Sequence, residues 1–311
     1  MSGRAAIVHD LALEDYGFGG DHPFKPLRLR LTLELCEALG LLEHYPFVSS
    51  GPATDEDLTT VHSLTYVRMV QKAGRNVAAL SDLLPYGLGT PDNPTFPDMH
   101  EACARVVGGV LAACRLVMAG EADHAMCISG GLHHAMRSRA SGFCVNVPLE
   151  PYTDDESWIS CFESVVPEVL RAFEPDLILS QNGCDGHALD PLTHLCATTR
   201  LYEHIPRRMH DLAHELCGGR WVATGGGGYD IWRVVPRAWT ALWAAVSHQE
   251  MPERVAENWL SKWGPKSPVE LPYLMRDEPE DYPHKPRAPR IARRNERTVE
   301  EVLGKVPPGI R

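Results

Sequence analysis

Strand-like and helix-like segments alternate along this chain with glycine and proline between them, an order that predicts an α/β fold with a mainly parallel sheet flanked by helices. Two further observations support that class. Three short runs, Ala125-Met126-Cys127-Ile128-Ser129, Leu177-Ile178-Leu179-Ser180 and Trp221-Val222-Ala223-Thr224, are uncharged and bounded by turn residues, as strands buried on both faces should be. Each run enters a glycine-marked turn: Gly130-Gly131-Leu132-His133-His134, Asn182-Gly183-Cys184-Asp185-Gly186-His187 and Gly225-Gly226-Gly227-Gly228-Tyr229. In an open parallel sheet such turns share the rim at the carboxyl ends of the strands, where ligands bind. His133, His134, Asp185 and Tyr229 are therefore predicted to converge. Two imidazoles, a carboxylate and a phenol can supply acid-base groups, a metal ligand and a donor to a developing oxyanion.

The elements follow in order. Ala5 to Val8 reads as the first strand. Leu27, Leu29, Leu31, Leu33 and Leu35 alternate like a strand, but Leu31, Leu35, Leu39 and Leu42 also form a helical stripe, and the length favours a helix to Leu42. Thr54 to Lys72 reads as one helix capped by Thr54 and acidic in its first turn. Ala102 to Gly120 is interrupted by Arg105 and Arg115, so it reads as a packed helix and not a membrane span. Thr153-Asp154-Asp155-Glu156 is a capping box for a helix through Leu170, which makes Asp154 and Asp155 helix-terminus acids; Glu174-Pro175 ends that helix. From Trp263 onward seven prolines between 265 and 289 are expected to exclude long regular elements. The expected organisation is one α/β domain over 1–261 and a proline-rich, partly basic tail over 262–311 that wraps the domain or stays partly disordered. Its arginines Arg287, Arg290, Arg293 and Arg294 read as a solvated charge run, with an anion-binding role as the alternative.

With 44% hydrophobic and 23% charged residues, a chain of 311 can bury a sizeable core as a soluble protein. No cationic, apolar leader opens it and no membrane anchor is found, so secretion is not expected. Nine dispersed cysteines without a C-x-x-C pair argue against a disulfide framework or a cysteine zinc ribbon, and fit a reducing cytoplasm. A net charge of −11 argues against nucleic acid as a partner, although the tail, with 11 basic and 8 acidic residues, is positive.

Each rim motif has two readings by itself. Gly130-Gly131 lets the backbone turn sharply enough to aim two adjacent imidazoles into a cleft. Asp185 follows a buried strand and an Asn-Gly turn, where a carboxylate either reaches a metal or closes its own Asx-turn. Four glycines before Tyr229 either bring the backbone close to a ligand or form a plain turn before a core tyrosine.

Taken together the segments resemble the histone deacetylase superfamily, most closely its bacterial acetoin utilization deacetylases, through most of the chain to about Ala245. His22-Pro23-Phe24-Lys25-Pro26-Leu27-Arg28 is similar to the family's N-terminal HPxxPxR segment, and Val61-His62-Ser63 with Tyr66 to the helix after it. Gly87 to Pro94 is similar to the loop whose aspartate holds the substrate backbone, which implies that role for Asp92. Gly131 to Ala135 and Ser141-Gly142-Phe143-Cys144 match the tandem-histidine region, with Gly142 and Phe143 at the wall of an acyl-lysine tunnel. Ser180 to Asp185 with Asp190-Pro191-Leu192 matches the segment of the third zinc ligand, and Gly226 to Tyr229 the loop of the transition-state tyrosine. The resemblance implies an arginase/deacetylase-like fold, a zinc cofactor bound by Asp185, His133 and His134 as an acid-base pair, Tyr229 as oxyanion donor, and an acetylated lysine or small acylated amine as substrate.

One family segment is missing. After Gly142-Phe143-Cys144-Val145 the family continues to an Asp-x-Asp-x-His-His-Gly-Asp-Gly motif that supplies two more zinc ligands and the carboxylates that orient the tandem histidines. Here Val145-Asn146 runs directly into Val147-Pro148-Leu149-Glu150, a gap of two strand-helix units or on the order of 60 to 80 residues. Asp185 alone cannot hold a catalytic zinc, which takes three protein ligands. His187, two positions on, is the candidate substitute ligand. The sequence thus leaves a deacetylase whose metal site forms in another way, an inactive acyl-lysine-binding relative, and the product of a deletion or gene-model error. Loss of central strands is also expected to leave unpaired sheet edges.

Overall fold

The computed structural model describes residues 4–14, 16–19, 22–91, 93–131, 144–278 and 287–305. In chain order its elements are β1 (Ala5–Val8), α1 (Leu27–Ala38), β2 (Phe47–Val48), α2 (Asp55–Thr59), α3 (Leu64–Gly74), α4 (Leu80–Leu83), α5 (Met99–Met118), β3 (His124–Cys127), α6 (Asp155–Phe173), β4 (Ile178–Gln181), α7 (Thr199–Cys217), β5 (Trp221–Thr224), α8 (Val235–Val246), α9 (Glu257–Trp263) and α10 (Ala288–Lys305). The strands form one sheet of order β2-β1-β3-β5-β4, and every pairing is parallel. The α/β class with a parallel sheet is as predicted. Among the described residues no helix is long and apolar enough to cross a membrane.

Strand alternation sorts side chains onto two faces. Ala6, Val8, Ala125, Cys127 and Val222 meet Ala113 and Val117 of α5 on one face. Ile7, Met126, Ile128 and Ala223 meet Leu29, Leu33, Leu201, Leu212, Trp239 and Leu242 from α1, α7 and α8 on the other. Ile7, Met126 and Ile128 are almost solvent-free, and each such side chain contributes ~1.5–3 kcal/mol of burial energy. β3 and β5 are thus covered on both faces.

β4 departs from the expectation. It pairs only with β5 among the described residues, and Leu179, opposite Val222 in the register, is 53% exposed. α5 packs over β1, β3 and β5 and leaves this edge uncovered. An apolar run reads the same whether its neighbours are present or not, so the sequence of β4 still carries the pattern of an interior strand.

Several helix boundaries also differ from expectation, and α1 ends at Ala38, short of Leu42. The helix expected over 54–72 is broken: Thr54 closes a capping box with Asp57 at the start of α2, and the Ser63 hydroxyl accepts from the Tyr66 N–H to start α3. At α6 the N-cap is Asp154, which accepts from Ser157 N–H at 3.1 Å, while Thr153 donates backward to the Glu150 carbonyl. The tail is the larger correction, because α10 is an 18-residue helix. Pro289 lies in its first turn, where no backbone donor is needed, and Ile291, Asn295 and Val299 then make one buried stripe. Arg290 and Arg293 are exposed, whereas Arg294 donates to the Glu150 carboxylate at 2.8 Å.

α10 packs against α6 and the junction segment. Val299 joins Cys161 and Val165 of α6, with Val147 and Leu149 of the junction packed beside them. Fully buried Asn295 accepts from the Glu150 N–H and donates to the hydroxyls of Thr153 and Ser157 at 2.8–2.9 Å. Residues 144–150 form no strand, so the junction has not healed into the sheet. Trp259 and Trp263 of α9 are buried with Leu31 and Leu35 of α1, across the position where the domain was expected to end.

Candidate active site at the carboxyl rim of the sheet

The loops that leave β3, β4 and β5 pack directly on one another. A Cβ on Gly131 would lie 2.2 Å from the Gly225 carbonyl oxygen, and one on Gly227 would lie 2.0 Å from Oδ2 of Asp185. Gly228 has a φ of 144° and sits against the Cys184 sulfur. The glycine run is therefore required by close approach to the chain's own neighbours. Backbone bonds fix the same contact: Cys184 N–H donates to the Gly227 carbonyl at 2.8 Å, and Asn182 N–H to the carbonyls of Thr224 and Gly225.

Arg28, on the first turn of α1, is only 2% exposed and holds this loop from below. Its guanidinium donates to the Gly228 carbonyl at 3.0 Å and lies over the rings of Phe24 and Trp239 at 4.2 and 5.0 Å. Burial lowers its pKa, and Cys184, Tyr16, Tyr229 and Asp185 oppose that shift electrostatically. Asp190 closes the loop from the other side by accepting the Tyr229 N–H at 2.8 Å and the Leu192 N–H at 2.9 Å. Burial raises its carboxyl pKa against those bonds. Burial likewise raises the Cys184 thiol, so it serves here as a packing atom and not a thiolate. Asp185 and Tyr229 are both half-buried within this frame, and the Asp185 carbonyl accepts from the Thr193 hydroxyl.

The structure thus brings Asp185 and Tyr229 to one rim, with Gly130 and Gly131 of the third loop beside them. His133, His134, Gly142, Phe143 and Asp92 lie outside the described residues. His187, the candidate substitute ligand, has both ring nitrogens engaged elsewhere. Its ring is fully buried, Nδ1 accepts from Leu189 N–H at 3.1 Å, and Nε2 donates to Asp277 at 2.9 Å. Asp277 also pairs with buried Arg237 at 2.8 Å and accepts from Thr199 N–H. Burial alone would raise the Asp277 carboxyl, but His187 and Arg237 hold it well below the usual range. His187 is an anchor for the tail, and a D-x-H spacing carries no sign of that partner 90 residues away.

A catalytic zinc takes three protein ligands. Among the described residues, Asp185 belongs to no group of three or more His, Cys, Asp or Glu side chains within reach of one ion. The described donors therefore do not fit a catalytic zinc at Asp185. Arg28 and Asp190 carry no site signal in the sequence, because an arginine shortly after a proline and an Asp-Pro turn signal little until their partners are known.

Fold and site together define an α/β protein of the parallel-sheet class, with its working groups on loops at the carboxyl ends of β3, β4 and β5. Comparison with known proteins is more specific. The histone deacetylase domain matches residues 22–146 and 145–246, two stretches that meet at Val145-Asn146. The chain is 35% identical to the acetoin utilization protein AcuC of Bacillus subtilis (strain 168) over 373 residues, covering 96% of each chain. It is 31% identical to AcuC of Staphylococcus xylosus, covering 97% of this chain and 98% of that one, and 33% identical to AcuC of Staphylococcus aureus (strain MRSA252), covering 94% and 95%. The chain belongs to the histone deacetylase family. An alignment of 373 positions against 311 residues leaves at least 62 positions of the Bacillus protein without a counterpart, in keeping with the gap read from the sequence.

Proposed function

We propose that this chain binds an acylated lysine or a small acylated amine at the rim and hydrolyses it weakly or not at all. The observation that carries this reading is the pairing of an intact frame with an incomplete donor set. Arg28, Asp190 and the glycine loop hold Tyr229 and Asp185 in place, while Asp185 has no partners to complete a metal site among the described residues. The family's hydrolysis of an acetyl-lysine amide relies on zinc, and no step through zinc follows from these residues. What they provide is polar contact: a half-buried phenol and a half-buried carboxylate on one rim can donate to and accept from an amide. A cytoplasmic site of action, without nucleic acid or membrane as partner, fits the net charge of −11 and the free cysteines.

A second reading, an active zinc-dependent lysine deacetylase, draws on the same preserved Asp185 and Tyr229. Titration of the 311-residue protein with an acetyl-lysine peptide, alongside an assay of acetate release, separates the two. Saturable binding without release supports the first reading. Release abolished by Tyr229→Phe establishes the second.

A further inference from the structure

The other end of the sheet carries a second constellation. His124 is the first residue of β3, so the four-residue strand, ~13 Å at 3.3 Å per residue, separates it from the rim. His210 and His214 stand one turn apart on α7 and share a face. His248 follows the end of α8 with a φ of 56°. One nitrogen from each of the four rings lies within 4.8 Å of the other three.

The closest pairs are His210 Nε2 to His248 Nδ1 at 3.0 Å and His124 Nε2 to His214 Nε2 at 3.2 Å. Imidazoles bound tetrahedrally to zinc at ~2.0–2.1 Å have nitrogens ~3.3 Å apart, so two edges of the tetrahedron are almost formed. Hydrogen bonding among the rings leaves a remainder, because Nδ1 of fully buried His124 has no partner. The surroundings suit a ligand set. Nδ1 of His210 is 3.3 Å from the Asp211 carboxylate, the arrangement that orients a ligating imidazole. Gly219 leaves the space that His214 occupies, since a Cβ there would lie 2.9 Å from its ring. Trp221 walls the inner side, 5.8 Å from the His124 ring.

We propose that His124, His210, His214 and His248 form a site for a divalent transition metal, zinc above all, at the amino edge of the sheet. Four neutral nitrogen donors suit zinc, copper or nickel and not magnesium or calcium. Four protein ligands close the coordination shell, so the ion is structural: it ties the start of β3 to α7 and to the end of α8. This site is separate from Asp185 and does not depend on the reading of the rim.

The test uses the full chain freed of metal with a chelator and titrated with Zn2+ by calorimetry, with Co2+ absorption as a report on geometry. We expect one zinc per chain, a tetrahedral cobalt spectrum, and affinity at least about tenfold weaker in His214→Gln. His214 is exposed, so this variant should fold, and an unchanged melt of its metal-free form verifies that. Asp185→Asn should leave the binding intact. Absence of zinc binding, equal binding by His214→Gln, or loss of binding only in Asp185→Asn would overturn the proposal, and the last result would place the metal at the rim.

Discussion

Arg28 and Asp190 grip the loop of Tyr229 through its backbone, and that division of labour predicts how single substitutions behave. Asp190→Ala leaves the N–H of half-buried Tyr229 without its acceptor and should cost ~1–3 kcal/mol, while the exposed Leu192 can turn to water. Tyr229→Phe keeps those bonds and should leave the melting temperature close to that of the parent while removing whatever acetate release exists. Asp277→Ala should cost ~3–5 kcal/mol, because it strands the buried Arg237 charge. The pH dependence has a definite sign. His187 and Arg237 hold the Asp277 carboxyl below the ordinary carboxylate range, so its stabilisation is full above about 3.8 and is lost as pH falls through the folded value. Melts of parent and variant should therefore converge as the pH falls below about 3.8 and stay apart at neutral pH. Asp185 and Tyr229 were legible because glycines and strand ends flag them. The partner of His187 comes from the tail, which its spacing from Asp185 does not reveal.

Helices and strands were legible where local chemistry decides them. The Thr54 cap, the start of α6 to within a residue, and β5 to the residue follow from capping and apolar runs. α10 was missed because proline density was applied past its range: after Pro289 no proline intervenes in the helix. Its latch predicts that Asn295→Ala, which strips partners from Glu150, Thr153 and Ser157, costs ~1–3 kcal/mol and speeds amide exchange at Glu150. Amides at Val145 and Val147 should exchange fast already, since 144–150 pair with no strand. β4 presents an edge that the sequence describes as interior. Leu179→Lys should accordingly leave stability within ~0.5 kcal/mol of the parent while lowering self-association, measured by sedimentation, as charge does on exposed strands.

For the molecule as a whole, one internal gap explains several observations that otherwise stand apart. It accounts for the meeting of the two family matches at Val145-Asn146, the 62 or more unmatched positions of the Bacillus relative, the exposed flank of β4, and an Asp185 without a described donor set. The sequence showed the gap through motif order, but it could not show that α10 would pack over the junction and α6. The histidine tetrad also went unread, since only His210 and His214 are near in sequence and His124 and His248 join them through the fold. Under the proposed function the rim keeps its frame and hydrolyses an acylated ligand weakly or not at all. Acetate release from an acetyl-lysine peptide by the zinc-saturated 311-residue protein, its length verified by mass, tests that reading most directly. Saturable peptide binding is expected, with release no faster than in the Tyr229→Phe variant. Multiple turnovers that disappear in both Tyr229→Phe and Asp185→Asn would contradict it.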